Sequence, residues 1–143
     1  MITERSAGII AFSKKRGERK YLLLLSSLTK RTHWEFPKGQ IEKGESARTA
    51  ACREFVEESG IEDWNVIEGF QKSLNYFYRR EEKLVSKTVT YFLGIVHNDA
   101  VTISAESSDY VWLPYEEAKE KLKLKSLVGL LDEAEKFIKE KGL

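Results

Sequence analysis

An α/β/α sandwich, a mixed β-sheet lying between helices, is the fold class this chain predicts. Two apolar runs near the start, Ala7–Phe12 and Tyr21–Leu28, suit buried strands. Helical patterns stand on either side of a block of further strand patterns, which places helices against both faces of one sheet. The 143 residues suffice for one core and not for two, so residues 1–143 are expected to form a single domain.

Taken in order, Ala7–Phe12 is the first strand. Lys14–Lys20 reads as a charged loop around Gly17, and Tyr21–Leu28 as the second strand. Thr29–Glu45 is a long irregular stretch with Pro37, Gly39 and Gly44, and long ordered loops in small domains are often functional. Ser46 can cap a helix running to Glu58 or Ser59, with Gly60 as a left-handed stop. Strand patterns follow at Asn65–Phe70, Ser73–Tyr78, Lys87–Val96 and Val101–Ser104, with a turn at Arg79–Val85. Tyr110–Leu113 is a last short strand. Pro114 opens a helix over Tyr115–Leu122. Ser126–Lys139 carries apolar residues at 127, 130, 131, 134, 137 and 138, the spacing of one helical face.

Composition narrows the function. The hydrophobic fraction is 41% and the aromatic fraction 11%, which argues against a disordered or fibrous chain. No apolar run approaches the roughly 20 residues needed to cross a bilayer, so no membrane partner is expected. The net charge of +1 gives no general reason to expect DNA. The single Cys52 cannot form an internal disulfide, which fits a reduced, cytoplasmic protein. Nothing in the sequence sets the oligomeric state; a monomer is the default expectation. Charge is nevertheless uneven: residues 1–44 hold ten Lys/Arg and four Asp/Glu, whereas residues 45–63 hold two and six.

That acidic segment contains the chemistry. Glu54, Glu57 and Glu58 are related by helical i,i+3 and i,i+4 steps and fall within an arc of about 100°. Neighbouring carboxylates repel by a few tenths of a kcal/mol per pair even in water. Arg53 is a single charge and is expected to leave the helix in a different direction. An oxygen-rich cluster of this kind suits a hard divalent cation, Mg²⁺ or Mn²⁺.

The stretch Gly39 to Ile61, GQIEKGESARTAACREFVEESGI, resembles the signature of the Nudix hydrolases. Gly39, Glu45, Arg53, Glu54, Phe55, Glu57, Glu58, Gly60 and Ile61 occupy the signature positions. Seven fixed residue types would coincide by chance about once in 10⁸ trials at ordinary usage. The resemblance implies a Nudix-type sandwich and hydrolysis of a nucleoside diphosphate linked to another group. It implies metal binding or proton transfer by Glu54, Glu57 and Glu58, and an orienting role for Arg53. It also implies a metal contact from the Gly39 carbonyl and a bracing role for Glu45.

Outside this segment, Ile67-Glu68-Gly69-Phe70, Ser73-Leu74-Asn75-Tyr76, Lys87–Leu93 and Asp109–Ala118 together resemble the asymmetrical diadenosine tetraphosphate hydrolases within that family. Tyr76 and Tyr78 stand at or near the tyrosine position of that group. The resemblance implies a small nucleotide substrate, with Tyr76 and Tyr110 stacking on a base and Lys87 on phosphate. It implies a further metal carboxylate at Glu106. Lys38, just before the box, is a phosphate contact or a solvated loop lysine. Trp34 reads as a core residue or a base-stacking one, and His33 as a loop residue. A sanitiser of oxidised nucleoside triphosphates, an RNA 5′-pyrophosphohydrolase and a non-catalytic nucleotide sensor are the other readings.

Overall fold

The structure, a computed structural model, describes residues 1–27 and 33–143. The expected end of the second strand at Leu28 and the start of the following loop lie outside the described residues. The elements are β1 (Ile2–Lys15), β2 (Glu18–Ser26), β3 (Trp34–Glu35), β4 (Lys38–Gln40), α1 (Ala47–Ser59), β5 (Trp64–Arg80), β6 (Lys83–Val96), β7 (Ser107–Leu113), α2 (Tyr115–Leu122) and α3 (Lys125–Glu140). They form the mixed sheet between helices that the sequence predicts.

The sheet runs β3-β2-β1-β6-β5, with β4 added to β1 and β7 added to β2. Its centre is a parallel pair, β1 against β6, in register from Ile2↔Val85 to Ser13↔Val96. Both faces of β1 are covered, so Ile9 and Ala11 join one core while Ile10 and Phe12 join the other. That double burial is why the segment reads as a continuous apolar run. Ala50, Ala51 and Phe55 of α1 seal the first face. Leu127, Leu130, Leu131, Ala134 and Ile138 of α3 seal the second.

The functional region lies where β1 and β2 part. β2 pairs with β1 only over Phe12–Lys15, and β4 takes over the edge of β1 at Ser6–Gly8. Beyond the fork, β2 pairs instead with β3 and β7. Side chains from β1, β2, β4, β6 and α1 therefore meet around one opening.

Three sequence expectations change. Lys14–Lys20 is mostly strand: only Arg16 and Gly17 turn, at φ 55° and 79°, the two positive values a type I′ hairpin needs. Lys14, Lys15, Arg16 and Glu18 there are exposed, while Arg19 turns in to Glu135. The two strands expected at Asn65–Phe70 and Ser73–Tyr78 are one, β5, with a register shift between Ile67 and Gln71. Its turn into β6 is only Glu81-Glu82. Val101–Ser104 joins no strand; the Thr102 N–H instead donates to the Ser59 carbonyl at 2.9 Å, tying this segment to the end of α1.

α1 follows its sequence signals. Ser46 Oγ accepts the Thr49 N–H at 3.1 Å. Gly60 stands at φ 70° and donates its N–H to the Val56 carbonyl, ending the helix.

Candidate metal centre and nucleotide cleft

One turn separates Glu54 from Glu58, so both project from the same side of α1. Glu106 reaches them from the loop before β7. That loop is tied to the end of β2, because Ser27 donates its N–H to the Glu106 carbonyl (3.0 Å) and its hydroxyl to the Ala105 carbonyl (3.1 Å). One oxygen from each of the three carboxylates lies within 4.8 Å of the others. β4 closes the group from the remaining side. A Cβ at Gly39 would sit 2.0 Å from the Glu54 carboxyl carbon, so only glycine lets the backbone come this close.

Two of the three carboxyls are pushed up by burial and by neighbouring carboxylates. Burial, and then the neighbouring Glu54 carboxylate, push the Glu58 carboxyl up to about 8, although the Lys38 N–H donates to it at 3.2 Å. Burial also raises Glu54, against the pull of Arg53. Three converging hard oxygen donors fit a divalent ion, which takes such ligands at about 2.0–2.6 Å.

Arg53 does not leave the cluster. Its Nε and Nη2 each donate to Glu45 at 2.8 Å, and Nη1 donates to Glu54 at 2.9 Å. Nη2 also reaches the Gln40 carbonyl at 3.1 Å. Glu45, held by this fork and by the Glu42 N–H, is pulled down to about 2. The loop before the helix is thereby braced against it. Glu57 stands apart from the convergent trio: its half-exposed side chain pairs with Arg53 at 3.3 Å.

The trio forms one wall of a cleft of about 500 Å³. Lys38 of β4, Lys87 of β6 and Tyr76 of β5 also line it. Burial, and then Lys38, lower the Lys87 ammonium pKa, so an anion between the two lysines would be favoured. Lys38 Nζ rests 3.5 Å from Glu35, which also meets His33 Nε2 at 2.8 Å. Burial raises the Glu35 carboxyl, but His33 and Lys38 outweigh it and hold it below the usual range. Tyr76 borders a second, more apolar pocket of about 400 Å³ with Leu74, Tyr91, Leu124 and Leu127. The residue is 43% exposed, which leaves surface for stacking.

Tyr110 is not brought to the cleft. On β7 it pairs opposite Leu24 and is not among the residues that line the cleft or the pocket beside Tyr76. Trp34 packs against the core, with Lys121 Nζ 5.0 Å from its ring centre. Sequence reasoning missed Glu4, Ser6 and Glu35, all of which line the cleft. The alternation Ile2, Glu4, Ser6 against Thr3, Arg5, Ala7 was the available signal that β1 begins at Ile2.

A mixed sheet between helices, forked around an acidic cluster and flanked by lysines, is the architecture of a phosphate-handling enzyme. The NUDIX domain profile matches residues 3–131, and the chain belongs to the Nudix hydrolase family. It is 35% identical to the mouse bis(5′-nucleosyl)-tetraphosphatase [asymmetrical] over 94% of this chain and 95% of that protein. It is 34% identical to the Caenorhabditis elegans protein of the same name over 80% and 81%. A crystal structure of a C. elegans Ap4A hydrolase binary complex superposes with a TM-score of 0.85 at 31% identity, covering 96% of this chain and 98% of that one. Among the described residues no helix is long and apolar enough to cross a membrane.

Proposed function

We propose that this chain hydrolyses diadenosine tetraphosphate asymmetrically: water breaks one P–O–P bond and releases ATP and AMP. The observation that carries the reading is the convergence of Glu54, Glu58 and Glu106 beside a cleft bearing Lys38, Lys87 and Tyr76. Similarity over nearly the whole chain to proteins named for this activity supports it, and supports the oxidised-nucleotide, RNA and sensor readings less.

Glu54, Glu58 and Glu106, with the Gly39 carbonyl, are the residues that would hold Mg²⁺ or Mn²⁺. Bound there, such an ion neutralises phosphate charge and acidifies a water molecule. The remaining work falls to the chain. Lys38 and Lys87 bind the polyphosphate from its other flank. Tyr76 offers a face to one adenine. Arg53 fixes Glu54 and Glu57 at once, and these two carboxylates are the candidates for accepting the proton of the attacking water. Tyr110, placed in the substrate set by sequence, is left out because it does not line the cleft.

The test is product analysis with Mg²⁺. Equal amounts of ATP and AMP from diadenosine tetraphosphate are expected. Rapid turnover of another nucleotide with neither product formed would overturn the substrate assignment.

A further inference from the structure

Glu4 is a charged group of the cleft that has no part in the reading above. Glu4 lies in β1, directly beside Lys87 of β6, which in turn lies beside Tyr76 of β5. The three therefore form a row on one face of the sheet. All three line the same cleft. A carboxylate here is unexpected, since it faces the region where a polyphosphate must lie and would repel it.

Its surroundings account for its tolerance. Tyr78 donates its hydroxyl to Glu4 Oε1, and Arg80 Nη2 donates to the same oxygen at 2.8 Å. Both tethers come from β5, outside the row, and both use Oε1. Among the described residues, no donor hydrogen-bonds to Oε2. The result is a fixed, partly neutralised carboxylate with one oxygen left for a ligand. Its Tyr78 and Arg80 partners hold the carboxyl below its ordinary range, so it is an acceptor at neutral pH.

A neutral donor is the natural guest for such an oxygen. On the substrate these are the sugar hydroxyls, and carboxylates recognise ribose diols in other nucleotide sites. We infer that Glu4 selects ribose: Oε2 accepts from the 2′- or 3′-hydroxyl of the nucleoside whose base lies against Tyr76. This rests on the reading that a nucleotide occupies the cleft.

Two measurements separate the failures. Calorimetric binding of ATP, 2′-deoxy-ATP and 3′-deoxy-ATP with Ca²⁺ present tests Glu4 without requiring turnover. The wild-type chain should favour ATP over at least one deoxy form by about tenfold, as expected for a charge-assisted hydrogen bond. Glu4→Ala should bring that ratio to within about twofold. Should Glu4→Ala fold poorly, Glu4→Gln with an unchanged Tm is the comparison, and at least half of the preference should vanish. A wild-type ratio near one, or a ratio that survives both substitutions, would overturn the inference and leave Glu4 as a clamp on the β5–β6 hairpin. Cleavage of diadenosine tetraphosphate, scored separately, reports on the substrate assignment alone.

Discussion

Glu58 and Glu135 are equally hidden, each 8% exposed, yet their carboxyls are shifted in opposite directions. At Glu135, on α3, burial raises the carboxyl, but Arg19 and Tyr21 more than offset it. Arg19 donates through Nε and Nη2 at 3.2 Å each, and the Tyr21 hydroxyl donates at 2.7 Å. Lys139 adds a third positive or polar neighbour at 3.5 Å. At Glu58 burial acts together with Glu54, and the Lys38 N–H and ammonium are not enough to reverse it. Burial alone therefore does not define a site. A buried carboxylate surrounded by its own donors is a fastening between α3 and β2. One that faces other carboxylates is a place where folding has been made to accept unfavourable charge, the usual mark of function.

That contrast can be broken at several points, the largest effect first. Glu58→Gln should lower kcat by about 10³-fold or more in a steady-state assay, if it removes a ligand of the divalent ion proposed above. The same variant should keep or raise the Tm of the metal-free chain, because it removes repulsion. Glu135→Ala should do the reverse. Leaving Arg19 and Tyr21 without their partner is expected to cost about 3 kcal/mol, a Tm loss of roughly 10 °C, with kcat nearly unchanged.

The two glutamates should also respond oppositely to pH. The folded-state value of Glu58 is raised, so the stability linked to its proton is complete below about 4.5 and is lost as pH climbs toward about 8. Glu135 is lowered, so its contribution is present above about 4.5 and disappears on acidification. Metal-free protein should therefore lose Tm between pH 5 and pH 8 relative to Glu58→Gln. Mg²⁺ should restore Tm more at pH 8 than at pH 5. Equal metal effects at both pH values would argue that Glu58 is not displaced from its protonated form by the ion.

A smaller effect is expected from the aromatic side chains. Tyr76→Ala should raise KM by about tenfold with a modest change in kcat, as for loss of a stacking contact worth about 1–3 kcal/mol. Tyr110→Ala should change kcat/KM less than twofold. A larger loss at Tyr110 would mean that the substrate extends beyond the cleft to β7.

How much of this was legible in the sequence follows from distance along the chain. The helix with Ser46, Arg53, Glu54, Glu58 and Gly60 could be read because its residues lie within one contiguous signature. Glu106 is far from the helix in sequence, and only the resemblance singled it out. What carries it to the cluster is the bonding of Ser27 to its loop. The direction of Arg53, not the orienting role that the resemblance implies, was misjudged, because helical position alone ignores a long side chain that can fold back to Glu45 and Glu54. Glu4 was missed because a polar strand end looks like a loop until the parallel pairing with β6 is known. The bulge in β5 was read as a break for a similar reason: Gly69, at φ 96°, interrupts the pattern without ending the strand.

Glu54, Glu58 and Glu106 are proposed to hold a divalent cation together. Crystals soaked in Mn²⁺ and measured for anomalous scattering test it most directly. A peak bonded to oxygens of all three carboxylates is predicted, and it should vanish in Glu58→Gln crystals treated identically. Full Mn²⁺-dependent turnover in solution with no peak at the trio, or a peak bound elsewhere, would contradict it.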